Sequence, residues 1–513
     1  MASRLHQRFV ALRGLRADLA ALLLGALAAA ALPPFHAIPV LLICVPGLLW
    51  LLDAAPSVWV AARRGWWFGL GHHVLGLYWI TEAILFEAGR FWWLVPIAVP
   101  ALAAALALFI ATACFLARLA SPGWPRVVAL AGAWVLTDLA RQFVLTGFPW
   151  NPWGSVWEIP GQIGDVFIQP AALVGVHGLT MATVFLAGLP TLGRRWWLAG
   201  GAVLAAWAAF GLIRLQGAIP AQPLTVVLEQ GNVAQGQKFD QALASRIFQH
   251  YLVLSSPGDR RGPSVDVWPE TAFPGLLDRD ERARQVIEQV NGGAPSLIGS
   301  IRFGQDERPR NSLFAVTDQG TIAAVYDKWH LVPFGEYIPD WLPLPIMVMP
   351  GGGFAPGPGP RTLHVPGLPP VGPLICYEAI FSGEIIDRGD RPAWLVNITN
   401  DAWFGNSTGP RQHLAAARMR AVEEGLPLLR AANTGISAAF DAHGHELGRI
   451  DMQTSGRLVV ALPSALPPTL YARFGLWAPA LAGLVALATG LSARRMHRQL
   501  GIIRLLADKN AQG

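Results

Sequence analysis

Charged residues are scarce in this chain. Asp, Glu, Lys and Arg make up 14% of its 513 residues, whereas soluble globular proteins average roughly one quarter. Hydrophobic residues reach 53%, and 21 residues are tryptophan. This balance excludes an ordinary soluble protein and indicates an integral membrane protein.

Cysteine is scarcer still, with three residues in the whole chain. Cys44 and Cys114 lie in apolar segments, so Cys376 stands alone in the long polar middle region without a disulfide partner there. The histidines are scattered, and neither an H-E-x-x-H motif nor a P-loop glycine motif occurs. The sequence therefore predicts no metal and no cofactor, and the lone thiol needs another explanation.

The net charge of +6 is not arranged as a basic stripe interleaved with aromatic residues, so nucleic acid is not a predicted partner. The arginines cluster instead beside apolar runs. A membrane span needs about 20 mostly apolar residues, and the chain has about eight candidates. They lie at about 19–32, 37–52, 66–86, 91–117, 127–145, 168–192, 196–215 and 472–492.

Positive charge in short loops favours the cytoplasmic side of a membrane. Arginine clusters fall at alternate ends of the candidate spans: Arg4 to Arg16, Arg63–Arg64, Arg118 with Arg126, Arg194–Arg195, and the tail from Arg494 to Lys509. This alternation places both termini in the cytoplasm. The predicted units are 1–219 with about seven spanning helices, 220–465 as an exported domain, and 466–513 with a last helix and a basic cytoplasmic tail.

Few ionisable groups fall inside the predicted spans. Asp138 and Arg141 are one helical turn apart and are expected to pair, and His72 and His73 lie in the third span. Charge within a membrane is a functional hypothesis by default. A transporter with an exported sensor domain is therefore one alternative function, which the small number of such groups disfavours.

Segment 220–465 has the pattern of an α/β domain. Short β-rich runs predict buried strands at Leu224–Leu228, Val265–Trp268, Ser296–Ile301, Val371–Ile375 and Trp394–Ile398, and hairpins at Asn311–Tyr326 and Pro427–Asp451. Helical spacing occurs at Gln241–Leu254, Glu281–Val290 and Arg411–Glu424. Such alternation favours a layered α/β domain. Met349–Pro360, rich in Gly and Pro, predicts a mobile loop.

Three of the predicted strands or hairpins end in a residue whose side chain could take part in catalysis. Glu270 follows one strand, Lys328 ends the first hairpin, and Cys376 follows a third apolar strand. A thiol nucleophile needs a base within reach and a nearby cation. Glu270 is the candidate base, and Lys328 is the candidate group that stabilises a thiolate and the oxyanion of a tetrahedral intermediate.

This order of glutamate, lysine and cysteine resembles the nitrilase, or carbon–nitrogen hydrolase, superfamily, and the surrounding motifs resemble the bacterial apolipoprotein N-acyltransferase family. The motifs are Gln230-Gly231-Asn232, Trp268-Pro269-Glu270-Thr271-Ala272, Asn311-Ser312, Lys328 to Pro339, Ile375-Cys376-Tyr377-Glu378, Asn397 to Gly405 and Arg430 to Ser437. The resemblance covers the whole exported segment, and the flanking helices agree with it. Phe239 departs from the family, which has a tryptophan nearby, so no role is transferred to Phe239.

The resemblance implies a membrane α-helical bundle that carries an α/β, nitrilase-like αββα sandwich on the periplasmic side of the bacterial inner membrane. It also implies ping-pong transfer of an acyl chain from a phospholipid, through a thioester on Cys376, to the N-terminal α-amine of a diacylglyceryl-modified apolipoprotein. Glu270 is the implied base and Lys328 holds the oxyanion. Glu336 and Glu378 match supporting carboxylates of the family.

Two other enzymatic alternatives share parts of this pattern. A membrane-tethered amidase would use the same three residues with water as the acceptor. A serine hydrolase is the weaker alternative: Ser407 lies in a G-x-S-x-G motif followed by Asp441 and His443, but the motif does not follow its strand directly, as a nucleophile elbow requires.

The predicted topology is testable with reporter fusions. We expect fusions near Gly262 and Gln305 to report export, and fusions after Arg64, Arg195 and Arg498 to report the cytoplasm, because arginine-rich loops remain inside. Paired reporters, one active only outside the cytoplasm and one active only within it, would measure each site. A cytoplasmic signal at Gln305 would contradict the whole arrangement.

Overall fold

The computed structural model describes residues 2–86, 88–238, 240–256, 258, 262–342 and 353–510. Two sequence-based statements fall wholly or partly outside this set. Phe239 is not among the described residues, and neither are residues 349–352 of the predicted mobile loop.

Helices occupy the chain up to the first strand. They are α1 (Ala2–Ala11), α2 (Gly14–Ala28), α3 (Leu41–Asp53), α4 (Val58–Gly76), α5 (Ile80–Phe86), α6 (Ala88–Phe91), α7 (Val95–Leu119), α8 (Trp124–Phe143), α9 (Gln162–Ile168), α10 (Ala171–Gly188) and α11 (Arg194–Arg214).

Among the described residues, four helical stretches are long and apolar enough to cross a membrane: Gly14–Ala31, Trp92–Leu119, Ala171–Leu192 and Arg194–Arg214. Two shorter apolar helices are Ile38–Asp53 and Trp477–Ala493. The helical membrane region is therefore confirmed, and the number of eight spans stays a prediction.

Helix α4 begins earlier than its apolar run indicated. The Ser57 hydroxyl accepts a hydrogen bond from the Val60 amide at 3.3 Å and caps the helix, so α4 starts at Val58 and not near residue 66. Arg64, which was predicted to lie in a loop, is therefore inside α4. Its buried guanidinium donates to the carbonyl of Leu51 in α3.

The second half of the chain contains the sheets. The strands are β1 (Ala221–Gln230), β2 (Ser264–Val267), β3 (Ser296–Phe303), β4 (Pro309–Val316), β5 (Ile322–Asp327), β6 (Val371–Ile375), β7 (Trp394–Thr399), β8 (Leu428–Ala432), β9 (Ser437–Phe440), β10 (Glu446–Ile450) and β11 (Gly456–Pro463). The remaining helices are α12 (Ala244–Ser255), α13 (Glu281–Val290), α14 (Gly409–Glu424), α15 (Leu470–Phe474) and α16 (Trp477–Asn510).

Two mixed sheets face each other. The strand order is β11-β1-β2-β3-β4-β5 in the first sheet and β10-β9-β8-β7-β6 in the second. Aliphatic side chains from both inner faces, such as Val226 and Val396, form a shared core. Helices α12 and α13 cover the outer face of the first sheet, and α14 covers the second. The predicted αββα sandwich is confirmed.

Every strand and hairpin predicted from the sequence is present, but β11 was not predicted. It pairs antiparallel with β1, and Pro463 lies opposite Ala221. The sandwich therefore begins and ends at neighbouring points on one sheet edge. The division of the chain at residues 220 and 465 stays a prediction.

Helix α14 lies between the sandwich and the helical bundle, and nearly all of it is buried. Its Leu414 and Ala421 pack against the second sheet, whereas Met419 and Val422 join the core of the bundle. A helix buried on both sides has no face left for water. The bundle and the sandwich thus share α14 as a common layer.

Polar contacts along α14 tie the sandwich to the bundle. Helix α10 breaks at Gly175, where φ is +65°, and the Val176 amide beyond the break donates to Glu423 Oε1 at 2.7 Å. Arg418 Nη2 lies 2.7 Å from Asp165 Oδ1 in α9. The broken helix therefore exposes a backbone donor that α14 satisfies.

The predicted pair within the bundle is present. Arg141 Nη2 lies 2.6 Å from Asp138 Oδ1, and Arg141 Nη1 donates to the carbonyl of Trp150 at 2.8 Å. The second oxygen of Asp138 lies 2.9 Å from His177 Nδ1 in α10. These groups neutralise and satisfy one another, as buried charges in membranes generally do.

The packing of α16 on α8 gives a stability prediction. A methyl group on Gly132 would lie 2.6 Å from the Gly483 carbonyl oxygen, so we expect Gly132→Ala to cost about 1–3 kcal/mol through forced separation of the helices. Thermal unfolding in detergent would measure the change. Gly201→Ala in α11 is the control, because nothing lies within 4 Å of its added methyl group; an equal loss there would contradict the prediction.

Candidate active site

The sandwich brings the three predicted site residues together. Glu270 follows β2, Lys328 follows β5, and Cys376 follows β6, so side chains from both sheets meet at one end of the sandwich. All three are buried, with relative exposures of 6%, 1% and 7%. Cys376 has a φ of +53° at the start of a short 3-10 helix, Cys376–Ile380, a left-handed backbone that is unusual for a residue with a side chain.

Lys328 lies between two carboxylates. Its Nζ is 2.9 Å from Glu336 Oε1 and 3.5 Å from Glu270 Oε1. Asn311 completes the bridge, since its Nδ2 donates to Glu270 Oε1 at 2.6 Å and to Glu336 Oε1 at 3.1 Å. Asn311 belongs to one of the motifs in the sequence, but its contacts with both carboxylates were not predicted.

The charges of these groups act on one another and on the thiol. Burial disfavours the ammonium of Lys328, but Glu336 and Glu270 outweigh burial and raise the pKa of Lys328 above its ordinary value. Burial also raises the pKa of the Cys376 thiol, Glu270 adds to this effect, and Lys328 opposes it. The resting thiol is therefore protonated, and a base has to remove its proton during any attack.

A second lysine lies close to Glu270. Lys238 Nζ donates to the backbone carbonyl of Glu270 at 2.6 Å. Burial lowers the pKa of Lys238 to about 8, although the charges of Glu270 and Cys376 act in the opposite direction. Sequence reasoning assigned Lys238 no role, because a lysine in a loop carries no motif signal of its own.

Glu378 connects the turn at Cys376 to the chain beyond Lys328. Its Oε2 accepts hydrogen bonds from the Ile375 amide at 2.7 Å and from the Tyr326 hydroxyl at 2.9 Å, and its Oε1 accepts from the Trp329 amide at 2.7 Å. Burial raises the pKa of Glu378 to about 7, and these hydrogen bonds oppose the rise. One carboxylate thereby fixes the ends of β5 and β6 relative to each other.

Behind Cys376 lies a buried group of charged residues that sequence reasoning did not assemble. His413 in α14 contacts Asp401 after β7 at 2.9 Å, and Asp401 also binds Arg430 in β8 at 2.5 Å. Burial raises the pKa of Asp401, but Arg430 and His413 outweigh it, so the pKa lies below its ordinary value. The position of Asp401 could have been predicted, because Asp401 follows a strand parallel to β6 and parallel strands end at the same edge of a sheet.

The possible metal ligands at this point are already engaged. Cys376, Asp401 and His413 each place a ligand atom within 4.8 Å of the others. However, both nitrogens of His413 and both oxygens of Asp401 have hydrogen-bond partners in the protein. The nitrogens of His413 and the oxygens of Asp401 therefore serve the hydrogen-bond network of the site.

The site lies against the helical bundle. The Tyr377 hydroxyl donates to the carbonyl of Gly147 at 3.1 Å, and His330 Nε2 lies 3.1 Å from the carbonyl of Thr146. Thr146 and Gly147 belong to the segment that follows α8. Cys376 is consequently one residue away from a direct contact with the bundle.

The alternative serine motif is not assembled as a triad. Ser407 donates to the carbonyl of Phe404 at 2.6 Å and accepts from the Gly409 amide, at the start of α14, at 3.1 Å. Asp441 accepts from the His443 amide within the turn between β9 and β10, where the His443 carbonyl binds Gln169 of the bundle. The structure gives Ser407 and His443 separate partners.

Family models match two parts of the chain. Residues 24–189 match the apolipoprotein N-acyltransferase N-terminal domain, and residues 259–466 match carbon-nitrogen hydrolase. An apolipoprotein N-acyltransferase of Rhodopseudomonas palustris is 40% identical over 96% of this chain and 98% of its own length. One from Brucella melitensis is 38% identical over 97% of this chain and 100% of its own length. This chain belongs to the apolipoprotein N-acyltransferase family.

The family resemblance inferred from the sequence is thus confirmed, and so is the assignment to the acyltransferases. Among solved structures, the chain is similar to a mutant of a Nesterenkonia amidase from the nitrilase superfamily. The identity is 18%, the match covers 50% of this chain and 96% of that chain, and the TM-score is 0.37.

The contacts of Glu378 lead to a prediction about the Cys376 turn. In Glu378→Gln an amide nitrogen replaces one carboxylate oxygen, so a buried backbone N–H of Ile375 or Trp329 loses its acceptor. We expect a loss of about 1–3 kcal/mol in the free energy of unfolding, together with faster alkylation of Cys376. Thermal unfolding and mass spectrometry would measure these changes. The exposed Glu446→Gln is the control, and unchanged behaviour of Glu378→Gln would contradict the bridging role.

Proposed function

We propose that this protein transfers an acyl chain from a phospholipid to the N-terminal α-amine of a diacylglyceryl-cysteine in an apolipoprotein, through a thioester on Cys376. The observation that carries this proposal is a single buried thiol, close to a carboxylate and a lysine ammonium, at the point where the sandwich meets the helical bundle. Both substrates are anchored in lipid, so an active site against the bundle suits them.

In the first half-reaction the Cys376 sulfur attacks the ester carbonyl of the phospholipid, and Glu270 accepts the thiol proton. The oxyanion of the tetrahedral intermediate lies by the Lys328 ammonium, whose raised pKa keeps it charged. Collapse of the intermediate breaks the ester C–O bond, and the leaving alcohol takes the proton from Glu270. The products are a lysophospholipid and the Cys376 thioester.

In the second half-reaction the α-amine of the acceptor attacks the thioester carbonyl. Glu270 accepts a proton from the attacking amine, and the sulfur leaves and is reprotonated, so an amide is formed and the thiol is restored. Glu336 and Asn311 hold Lys328 and Glu270 in position during both halves. Glu378 supports the turn that carries the thiol.

We place the protein in the bacterial inner membrane with the sandwich on the periplasmic side. The helices that are long and apolar enough to span a membrane support a multi-pass arrangement. The arginine clusters in alternate loops support export of the sandwich. The acyl donor and the acceptor would then be available in the outer leaflet.

Single-turnover labelling separates the roles of the residues. We expect Cys376→Ala to form no acyl adduct with a phospholipid carrying a tagged acyl chain. Glu270→Gln should slow both thioester formation and its transfer to a diacylglyceryl-cysteine peptide, by about 100- to 10,000-fold for loss of a general base. Gel fluorescence would follow the label, and mass spectrometry would locate it on Cys376.

Cys114→Ala is the matched control, because Cys114 is also buried and is a thiol of the bundle; it should label normally. Normal labelling of Cys376→Ala would eliminate the thioester mechanism. Normal labelling and transfer in Glu270→Gln would remove Glu270 as the base. An adduct that turns over equally fast without the amine would show water as acceptor, and hence an amidase.

A further inference from the structure

The backbone at Cys376 depends on a group that the reaction scheme does not use. The residue has a left-handed φ of +53°, and its carbonyl oxygen points away from the end of β6 toward α14. A residue other than glycine keeps this backbone conformation only where the surrounding structure holds it there. His413 supplies that restraint, because its Nε2 lies 2.9 Å from the Cys376 carbonyl oxygen.

The donor and the acceptor in this contact are unambiguous. A carbonyl oxygen can only accept, so His413 Nε2 carries the proton and donates it. The other ring nitrogen, Nδ1, lies 2.9 Å from Asp401 Oδ1 and 3.2 Å from Arg430 Nη2. The ring is thereby held at both nitrogens, one toward the thiol-bearing residue and one toward a buried carboxylate.

Asp401 is itself fixed from two further directions. Its Oδ2 binds Arg430 Nη2 at 2.5 Å, and its Oδ1 accepts from the Thr399 hydroxyl at 2.9 Å. His413, Asp401 and Arg430 are each at most 1% exposed, so this network is closed to water.

Aromatic residues of both the bundle and the sandwich lie beside the His413 ring. The ring centroid lies 5.6 Å from that of Trp150 and 6.1 Å from that of Phe404. The Trp150 indole donates to Gln412 Oε1, on the neighbouring residue of α14, at 2.9 Å. The His413 ring is therefore fixed by the sandwich and by the bundle together.

We propose that His413, held by Asp401 and Arg430, is a positioning residue for the nucleophile: its Nε2 hydrogen bond fixes the Cys376 carbonyl and so aims the thiol at Glu270 and Lys328. This inference rests on the proposed function of Cys376. It makes α14, the layer shared with the bundle, part of the support of the active site.

Two substitutions separate the two contacts of the ring. In His413→Gln the amide nitrogen takes the place of Nε2 and still donates to Cys376. In His413→Asn the amide nitrogen takes the place of Nδ1 and reaches only Asp401. We expect His413→Asn to lower the maximal rate of Cys376 thioester formation by about 10- to 100-fold, with an unchanged half-saturating phospholipid concentration, and His413→Gln to lose less than about 10-fold.

The measurement is single-turnover labelling of the full-length protein with a phospholipid carrying a tagged acyl chain, with rates normalised to folded protein. His177→Gln is the matched control, because His177 is also fully buried and pairs with an aspartate, Asp138, but lies in the bundle. It should keep the labelling rate even if it lowers the unfolding temperature.

Equal losses in His413→Asn and His413→Gln would overturn the proposal, as would an equal loss in His177→Gln or a change confined to the half-saturating concentration. Failure of both His413 variants to fold would also overturn it, because the ring would then serve the fold as a whole.

The Cys376→Ala protein separates this inference from the proposed function. If Cys376→Ala still acquires label, the thioester mechanism fails; if it does not and His413→Asn labels normally, only the positioning role fails.

Discussion

The ammonium group of Lys328 is buried between the carboxylates of Glu336 and Glu270, and the rest of the site is arranged around this balance of charge. A buried ion that loses its partner is strongly destabilising, so each of the three groups depends on the other two. They come from separate segments: the ends of β2 and β5 and the loop beyond β5. The balance therefore fixes three segments in one geometry, and Asn311 keeps the two carboxylates at a set separation.

The same principle operates along α14, on a larger scale. This helix is buried against the sheet on one side and the bundle on the other, yet it carries arginines and glutamates. Two of these charges bind groups of the bundle: Glu423 accepts from the amide freed by the break at Gly175, and Arg418 pairs with Asp165. Polar groups in an interface fix its register, because a shifted helix would leave buried charges without partners. The sandwich is thus held in one orientation on the bundle.

The features of this structure that could be predicted from the sequence are those formed by contiguous residues. Apolar strands that end in Glu270 and Cys376 are readable because a strand and the residue after it are contiguous. Asp401 and His413 form a pair only because β7 and α14 are neighbours in space, and Lys238 reaches Glu270 from a loop. The start of α4 was placed too late because the cap at Ser57 outweighs hydropathy. Strand β11 was missed because its partner in the sheet, β1, lies more than 200 residues earlier in the sequence.

The pairing of β1 with β11 has a consequence for how the protein is made. Residue 221 emerges from the ribosome well before residue 463, yet the two lie opposite each other in the finished sheet. The first sheet cannot be completed until nearly the whole chain has been synthesised, because β11 follows every other strand in the sequence. A pairing between such distant segments also forms slowly. Until β11 is in place, the first sheet therefore stays unfinished and the edge of β1 remains open.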